Sequence, residues 1–383
     1  MTEKLYFVDS HMSSFTAKVL SCTEDKKGYA VVLDKSAFFP EGGGQLSDSG
    51  YIGSVRVSSV HERGGEVLHY CDAPVTVGES YDCSIDWQQR YRRMQNHSGE
   101  HIFSGFVHQL YGYDNVGFHM GSDCLTLDFS GELTWEQLTE VEQLANEMVH
   151  KNVAVISSFP SSEELKAMEY RSKLDLTENV RIVEIPGADR CACCAPHVKY
   201  TGEVGLIKML DCQRHRGGVR VSIICGMDAL DHVRLMQKNV TEISVLLSAK
   251  RGESAAAVER VFNEQLRLKE RIGAVSMELA KFKAQQFDAT DGNICIFDNV
   301  LDEPALRELV NMLMEKCTGY AAAFSGDDNE GYRYIIGSKS VDLRVNGKAI
   351  NQGISGKGGG SKEMIQGRAS AKREEIENFV KSN

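Results

Sequence analysis

The chain has 383 residues, 42% hydrophobic and 25% charged, the proportions of a soluble globular protein with room for two or three domains. No apolar run approaches the roughly 18 residues of a membrane span. The start, Met1-Thr2-Glu3-Lys4-Leu5, lacks the basic and apolar parts of a signal peptide, so a cytoplasmic location is expected. The formal net charge of −11 argues against promiscuous nucleic-acid binding.

Residues 1–88 are rich in short β-branched and aromatic runs: Ala17–Leu20, Tyr29–Leu33, Tyr51–Gly53, Val55–Val57 and Val67–Tyr70. Turn-forming residues separate them, a spacing that predicts a small β-barrel. From Asp86 to about Tyr111 the pattern turns helical, with Met94, His97, His101, Ser104 and Val107 at steps of three and four. A second helix is expected over Leu133–Val149. Strands follow at Val153–Ile156, Val180–Val183, Gly205–Met209 and Val219–Ile223, so residues 89–227 read as helices on an antiparallel sheet. Residues 228–286 contain no proline and carry apolar residues at helical spacing, predicting a long helical spacer, hairpin or coiled coil. Residues 287–383 read as a small α/β module, with strand Ile294–Phe297, helix Glu303–Lys316, strands Ala321–Phe324 and Tyr334–Gly337, a glycine run and a terminal helix. The fold class expected is therefore α+β.

Charge is uneven along this plan. From Gly331 onward there are ten Lys/Arg against five Asp/Glu, leaving −16 on the remainder. A basic tail on an acidic body suits docking to one selected RNA.

Eleven cysteines are scattered singly, apart from Cys191, Cys193 and Cys194. In a reducing compartment such a cluster points to metal or thiol chemistry. His97-Ser98-Gly99-Glu100-His101 is an H-x-x-x-H pattern, and on a helix positions i and i+4 share a face. Cys193-Cys194-Ala195-Pro196-His197 supplies a C-x-x-x-H pair, which Pro196 places on a turn beside a strand. Together His97, His101, Cys193 and His197 make a tetrahedral set of N and S donors, with one zinc ion as the default occupant. On spacing, Cys191 or Cys194 could replace Cys193, and Cys191/Cys194 also permit a redox reading. Glu100 stands two positions later than the glutamate of a zincin H-E-x-x-H motif. It is expected to face away from the two histidines, as a solvated helix residue.

Two glycine segments stand apart. In Phe39-Pro40-Glu41-Gly42-Gly43-Gly44-Gln45-Leu46-Ser47-Asp48 the glycines allow a backbone to approach a ligand. Gln45 and Asp48 can hydrogen-bond a polar substrate, with Gly43 and Gly44 as further site residues. The segment is not a P-loop, since no Lys-Ser/Thr follows the glycines. In Gly356-Lys357-Gly358-Gly359-Gly360-Ser361-Lys362, exposed backbone amides with Lys357, Lys362 and Arg368 nearby suit phosphate or sugar contacts. The expected tRNA-binding residues are accordingly Lys357, Gly358, Gly359, Gly360, Lys362 and Arg368.

In this order the motifs resemble the alanyl-tRNA synthetase editing family, most closely its free-standing AlaX proteins in their long form. The segments Gly202–Leu206 and Gly217–Arg220 also look like that family, and the C-terminal part looks like its DHHA1 domain. The resemblance implies hydrolysis of the ester joining serine, with glycine a second candidate, to alanine tRNA. A synthetase would carry an ATP-binding domain of several hundred residues before its barrel. Here the barrel begins near Tyr6, so no aminoacylation and no ATP use are expected. The metal would position a water or the substrate amino group at the ester, or would position Gln45 and the backbone of Gly42-Gly43-Gly44 to hold the attacking water. The alternatives are a zinc-containing tRNA-binding protein without catalysis and a zinc peptidase or amidase. A homodimer through the helical or C-terminal region is a further expectation.

Overall fold

The short apolar runs at the start of the chain pair as strands Ser14–Asp25, Gly28–Leu33, Glu66–Cys71, Val55–Arg63, Gly50–Ile52 and Ser80–Ile85, in that spatial order, and the sheet closes on itself as a barrel. Closure depends on Ser80–Ile85, which pairs antiparallel with both Ser14–Lys18 and Gly50–Ile52. That strand, Ser-Tyr-Asp-Cys-Ser-Ile, was absent from the sequence reading. The barrel interior is filled by Val19, Val31, Leu33, Ile52, Val57 and Val67, the inward-facing members of alternating strands. The structure, a computed structural model, describes residues 1–26, 28–121, 123–172 and 180–382. Its contacts divide the chain into two units, Met1–Asn239 and Val240–Asn383.

In the first unit the barrel leads into helix Trp87–Tyr111. Asp86 caps its start by accepting from Gln89 N, and Gly112 ends it at φ 70°. Helix Trp135–Lys151 begins with a capping box between Thr134 and Gln137. Both helices contribute to the core over one face of an antiparallel four-stranded sheet, ordered Ile207–His215, Gly218–Cys225, Leu125–Phe129, Asn115–Met120. Three short strands, Ile156–Ser158, Ile182–Ile185 and Asp189–Ala192, form a separate antiparallel sheet. The expected strand Val153–Ile156 is reduced to a bridge between Ala154 and Tyr200 before Ile156–Ser158 begins.

The region expected as a long helical spacer, hairpin or coiled coil over 228–286 is two helices, Gly226–Leu246 and Ser254–Gln285, separated by a short 3-10 turn, Arg251–Glu253. The break needs no proline: Ser248 adopts the left-handed region at φ 49°, which no helix continues. The second unit has a five-stranded sheet ordered Ile294–Phe297, Ala321–Asp327, Gly331–Gly337, Met364–Ala369, Gly356–Gly360. The first pair is parallel and the others antiparallel. Strand Ala321–Asp327 shows the period of two: Ala321 and Ala323 join helices Ser254–Gln285 and Glu303–Met314 on one face, whereas Ala322 and Phe324 join helices Leu343–Gly353 and Arg373–Ser382 on the other. Ser276, Ala280 and Ala284 form the small-residue stripe that lets the end of the long helix pack closely. Its final turns are thus core of this unit rather than a free spacer.

Candidate metal centre

Helix Trp87–Tyr111 is buried along most of its length, with every residue from Met94 to Val107 buried. Glycine makes this close packing possible at Gly105, where a Cβ would come within 2.2 Å of Ala188 O. The contact brings the helix against the loop that leads into strand Asp189–Ala192 and then to Cys193.

The spacing at His97 and His101 does place both imidazoles on one face, with ring centroids 5.3 Å apart. His197 comes within 4.9 Å of the first ring and 4.6 Å of the second. One donor atom from each of His97, His101, Cys193 and His197 lies within 4.8 Å of all the others, a set that could hold a metal ion. Cys193 Sγ is 3.4 Å from both His97 Nε2 and His197 Nε2. Each imidazole turns its Nδ1 outward. His97 Nδ1 meets Gln45 Oε1 at 3.0 Å, His101 Nδ1 meets Asp189 Oδ2 at 2.8 Å, and His197 Nδ1 meets Ser98 Oγ at 3.0 Å. Such outer contacts fix ring orientation and leave the other nitrogen to face the shared centre.

The same contacts set the electrostatics of the cluster. Burial opposes a charged Cys193, yet the imidazoles of His97 and His197 and a hydrogen bond from His101 hold the thiol well below its usual pKa. Burial also opposes charge on His101, but the hydrogen bond to Asp189 outweighs it and holds that imidazole well above the ordinary value. Burial pushes His197 down to about 3. Asp189 is itself paired with Arg171, at 2.7 and 2.9 Å.

Among the three clustered cysteines, Cys193 sits with the three imidazoles. Cys191 instead forms a second group with His101 and Asp189. Cys194 is exposed, with its Sγ 3.3 Å from the position a Gly43 Cβ would take.

A cavity of about 740 Å³ opens over the cluster, lined by Tyr6, Phe39, Gly43, Gly44, Phe118 and Arg181 beside His97, His101 and Cys193. Gly42 and Gln45 exchange backbone hydrogen bonds at 3.1 and 3.0 Å, so the glycine motif is a tight turn at the cavity wall. The side chains expected to meet substrate behave differently from its backbone. Gln45 is 1% exposed and works from behind His97, and its Nε2 has no hydrogen-bond partner among the described residues. Asp48 is likewise buried. Its carboxylate accepts from Phe39 N at 2.7 Å and pairs with the buried Arg90 guanidinium, which anchors the base of the turn.

The expectation for Glu100 is corrected. It is 4% exposed and lines the cavity, with Oε2 3.8 Å from His101 Nε2. The signal was present in the sequence, because positions i, i+3 and i+4 share a stripe, and Glu100 is i+3 from His97. Sequence reasoning missed Asp189, Arg171 and Ser98 altogether.

In the second unit the glycine run is edge strand Gly356–Gly360. Lys357 pairs in register with Arg368, and Arg368 with Arg333, so three cations stand in a row across three strands. All three are exposed, as are Gly358, Gly359, Gly360 and Lys362. Arg333 was not anticipated.

Two family descriptions match the chain: the threonyl and alanyl tRNA synthetase second additional domain over residues 180–221, and class II (A) tRNA synthetases over residues 7–89. The first of these spans the segment that carries Cys193 and His197, and the second the barrel with its glycine turn. The chain is therefore similar to the alanine-specific branch of the tRNA synthetases and their editing relatives. In particular, it is 28% identical to Alanyl-tRNA editing protein AlaX-L of Pyrococcus horikoshii, over 98% of this chain and 96% of that protein. It is 30% identical to alanine–tRNA ligase of Pyrococcus abyssi over 99% of this chain, but spans only 43% of that enzyme. The ligase of Methanococcus maripaludis gives 27% over 98%, again with 43% of the enzyme spanned. The C-Ala domain of Aquifex aeolicus alanyl-tRNA synthetase aligns with 25% of this chain at 25% identity, with a TM-score of 0.20, too low to support a structural argument. Among the described residues no helix is long and apolar enough to cross a membrane.

Proposed function

We propose that the cleft over His97, His101, Cys193 and His197 hydrolyses the aminoacyl ester of alanine tRNA carrying a wrong amino acid, serine first and glycine second, in trans and in the cytoplasm. The observation that carries this reading is the grouping of three imidazoles and one thiolate-prone Sγ beside a cavity walled by Gly42-Gly43-Gly44 and lined by His97, His101 and Cys193. The full-length similarity to an alanyl-tRNA editing protein supports the choice of substrate. The donor set fits zinc, which takes neutral imidazole and thiolate in tetrahedral array. A zinc ion held there would supply Lewis acidity toward the ester.

The chain's own groups set the rest. Gln45, Asp189 and Ser98 fix the three imidazoles. Asp48 and Arg90 hold the glycine turn against the cavity. The backbone of that turn lies where an ester group would rest. Tyr6, Phe39 and Phe118 limit the entry of bulk water. A second pocket is needed because an activation site discriminates small side chains by only about 1–3 kcal/mol.

The domain plan proposed is a barrel over 1–88, a metal-binding editing domain over 89–227, a helical segment over 228–286 and a DHHA1-like RNA-binding domain over 287–383. In the last, Lys357, Lys362 and Arg368 with Gly358, Gly359 and Gly360 contact tRNA, joined by Arg333. Like charges directly opposite one another on a sheet repel, so the Arg333–Arg368–Lys357 row gains stability when a phosphate backbone lies across it.

The test is release of serine, glycine and alanine from alanine tRNA charged with each, by wild type, His101→Ala and Gln45→Ala, with metal content measured on the same samples. His101→Ala should lower serine release about 100-fold or more, and equal rates in all three proteins would overturn the assignment. Arg333→Glu with Arg368→Glu should weaken tRNA binding and flatten its salt dependence. Unchanged affinity would count against the docking row. A zinc-bearing RNA binder without catalysis is the second reading, favoured by a donor set that fills all four tetrahedral positions. It predicts intact ester after incubation.

A further inference from the structure

One carboxylate between the donor cluster and the cavity has no role in the reading above. Glu100 follows His97 by three residues and directly precedes His101, which puts it on the stripe that carries both imidazoles. Its side chain is 6% exposed and lines the cavity. One oxygen is pinned from two elements. Ser104 Oγ, on the same helix, donates to Oε1 at 2.7 Å, and Asn115 Nδ2, at the start of strand Asn115–Met120, donates to it at 2.6 Å. The other oxygen, Oε2, lies 3.8 Å from His101 Nε2, the nitrogen that faces the donor cluster. Hydrogen bonds to one oxygen therefore aim the other at the point where cluster and cavity meet.

Other acidic groups near the cavity are placed differently. Glu41 and Glu62 line it with side chains 55% and 36% exposed. Asp189 is committed to His101 and Arg171. Burying a carboxylate costs several kcal/mol unless its surroundings hold it, and Ser104 and Asn115 supply that support at a fixed orientation.

We propose that Glu100 is a catalytic residue, the group that orients the hydrolytic water and takes its proton. The proposal rests on the ester-hydrolysis reading. As the water oxygen bonds to the ester carbonyl carbon, one water proton passes to Glu100 Oε2 and the carbonyl π pair moves onto the carbonyl oxygen. When that pair returns, the bond from the carbon to the ribose oxygen breaks, and the proton passes from Glu100 to the departing ribose oxygen. One water is consumed. The products are a free amino acid and a free ribose hydroxyl, with the Glu100 carboxylate restored and no further reactant required.

Glu100→Gln keeps the shape and an acceptor for Ser104 and Asn115 but cannot take a proton. The full-length variant and wild type are compared for kcat and KM on serine-charged alanine tRNA and for metal content. Affinity is measured for adenosine carrying serine through a 3′-amide, and hydroxamate formation is measured with hydroxylamine, a nucleophile that attacks without prior loss of a proton. The expected result is a kcat lower by about 100-fold or more, with KM, metal content and analogue affinity unchanged and hydroxylamine turnover largely retained. Glu100→Asp, which keeps a proton acceptor on a shorter arm, should fall between the two and serves where the glutamine variant does not fold. Unchanged kcat overturns the proposal. So does loss of metal, which would make Glu100 a support for the ion, and so does a raised KM with intact kcat, which would make it an anchor for the substrate ammonium. Wild type that releases no amino acid overturns the reading of the site itself, whereas active wild type matched by Glu100→Gln overturns only the role of Glu100.

Discussion

Gly42-Gly43-Gly44 and Gly358-Gly359-Gly360 look alike in sequence, yet the first is bent into a turn at a cavity wall and the second lies extended along a sheet edge. Gly44 adopts φ 80°, and a Cβ there would meet the Phe118 ring at 2.4 Å. In that turn glycine answers a demand of handedness and of space together. Along the edge strand the demand is only for space. A Cβ at Gly358 would come within 2.2 Å of Gln366 O and Tyr334 Oη, and one at Gly360 within 2.1 Å of Met364 O, whereas one at Gly359 meets nothing within 4 Å among the described residues. A triple glycine therefore has no single structural meaning. The neighbours decide whether it marks a forced turn, a tight strand pair or bare backbone open to a partner.

The sharpest way to break this contrast is Gly44→Ala. Left-handed strain and overlap with Phe118 together should cost the first unit about 2–4 kcal/mol, read as an earlier denaturant midpoint. Ester hydrolysis should fall with it while tRNA affinity stays put. A variant as stable as wild type would remove the claim that the turn is forced.

Acid should separate the two units as well. His69, on barrel strand Glu66–Cys71, is fully buried. Its Nδ1 lies 3.0 Å from Val31 O and its Nε2 2.7 Å from Ser36 Oγ. The carbonyl can only accept, so Nδ1 carries a proton, and in the neutral imidazole that burial favours Nε2 accepts from the Ser36 hydroxyl. Burial pushes its pKa from 6.5 down to about 4. Between those values the unfolded chain binds the proton that the folded chain refuses, so the contribution is full above pH 6.5 and is lost as pH falls to 4. The loss amounts to about 3 kcal/mol for the first unit. Stability curves from pH 7 to 4 for wild type and His69→Gln check it. The slope over this window should flatten in the variant, and parallel curves would refute the assignment.

The smallest effects should appear along the edge strand. Gly358→Ala should destabilise the second unit by about 1–3 kcal/mol through overpacking. Gly359→Ala should stay within about 0.5 kcal/mol and yet weaken tRNA binding if the bare backbone is what the RNA approaches. Thermal melts and binding titrations of the pair decide it, and equal stability loss in both would erase the distinction between them.

Much of the candidate metal site was legible in local spacing. His97 and His101 are visible as an i, i+4 pair, and Cys193 and His197 as C-x-x-x-H before any fold is known. What local spacing could not supply is the outer support. Asp189 meets His101 across 88 positions and Ser98 meets His197 across 99, so their roles exist only once helix and turn are packed together. Glu100 shares the stripe of His97 at i+3, but a charged residue on a helix is normally solvated, and burial of this helix reverses that. In the fold, runs dominated by β-branched residues were legible as strands. Leu125-Thr126-Leu127-Asp128-Phe129 and Ser80–Ile85 were not, because their polar members mask a short alternation. The break at Ser248 left no Pro or Gly at the turning residue to announce it.

The outward contacts of the three imidazoles have a consequence for how the first unit is held together. Gln45 belongs to a barrel turn, Asp189 to a short strand and Ser98 to the helix, while Cys193 and His197 lie on an irregular segment beyond that strand. An ion bound at their focus would thus act as a rivet through separately formed pieces, and its binding free energy would add to the free energy of their assembly. Loss of the ion would then be felt first as a loosening of the seam between barrel and helix, before either piece melts on its own. With an ion there, hydrolysis at the cavity and the integrity of the first unit would both depend on the same metal supply.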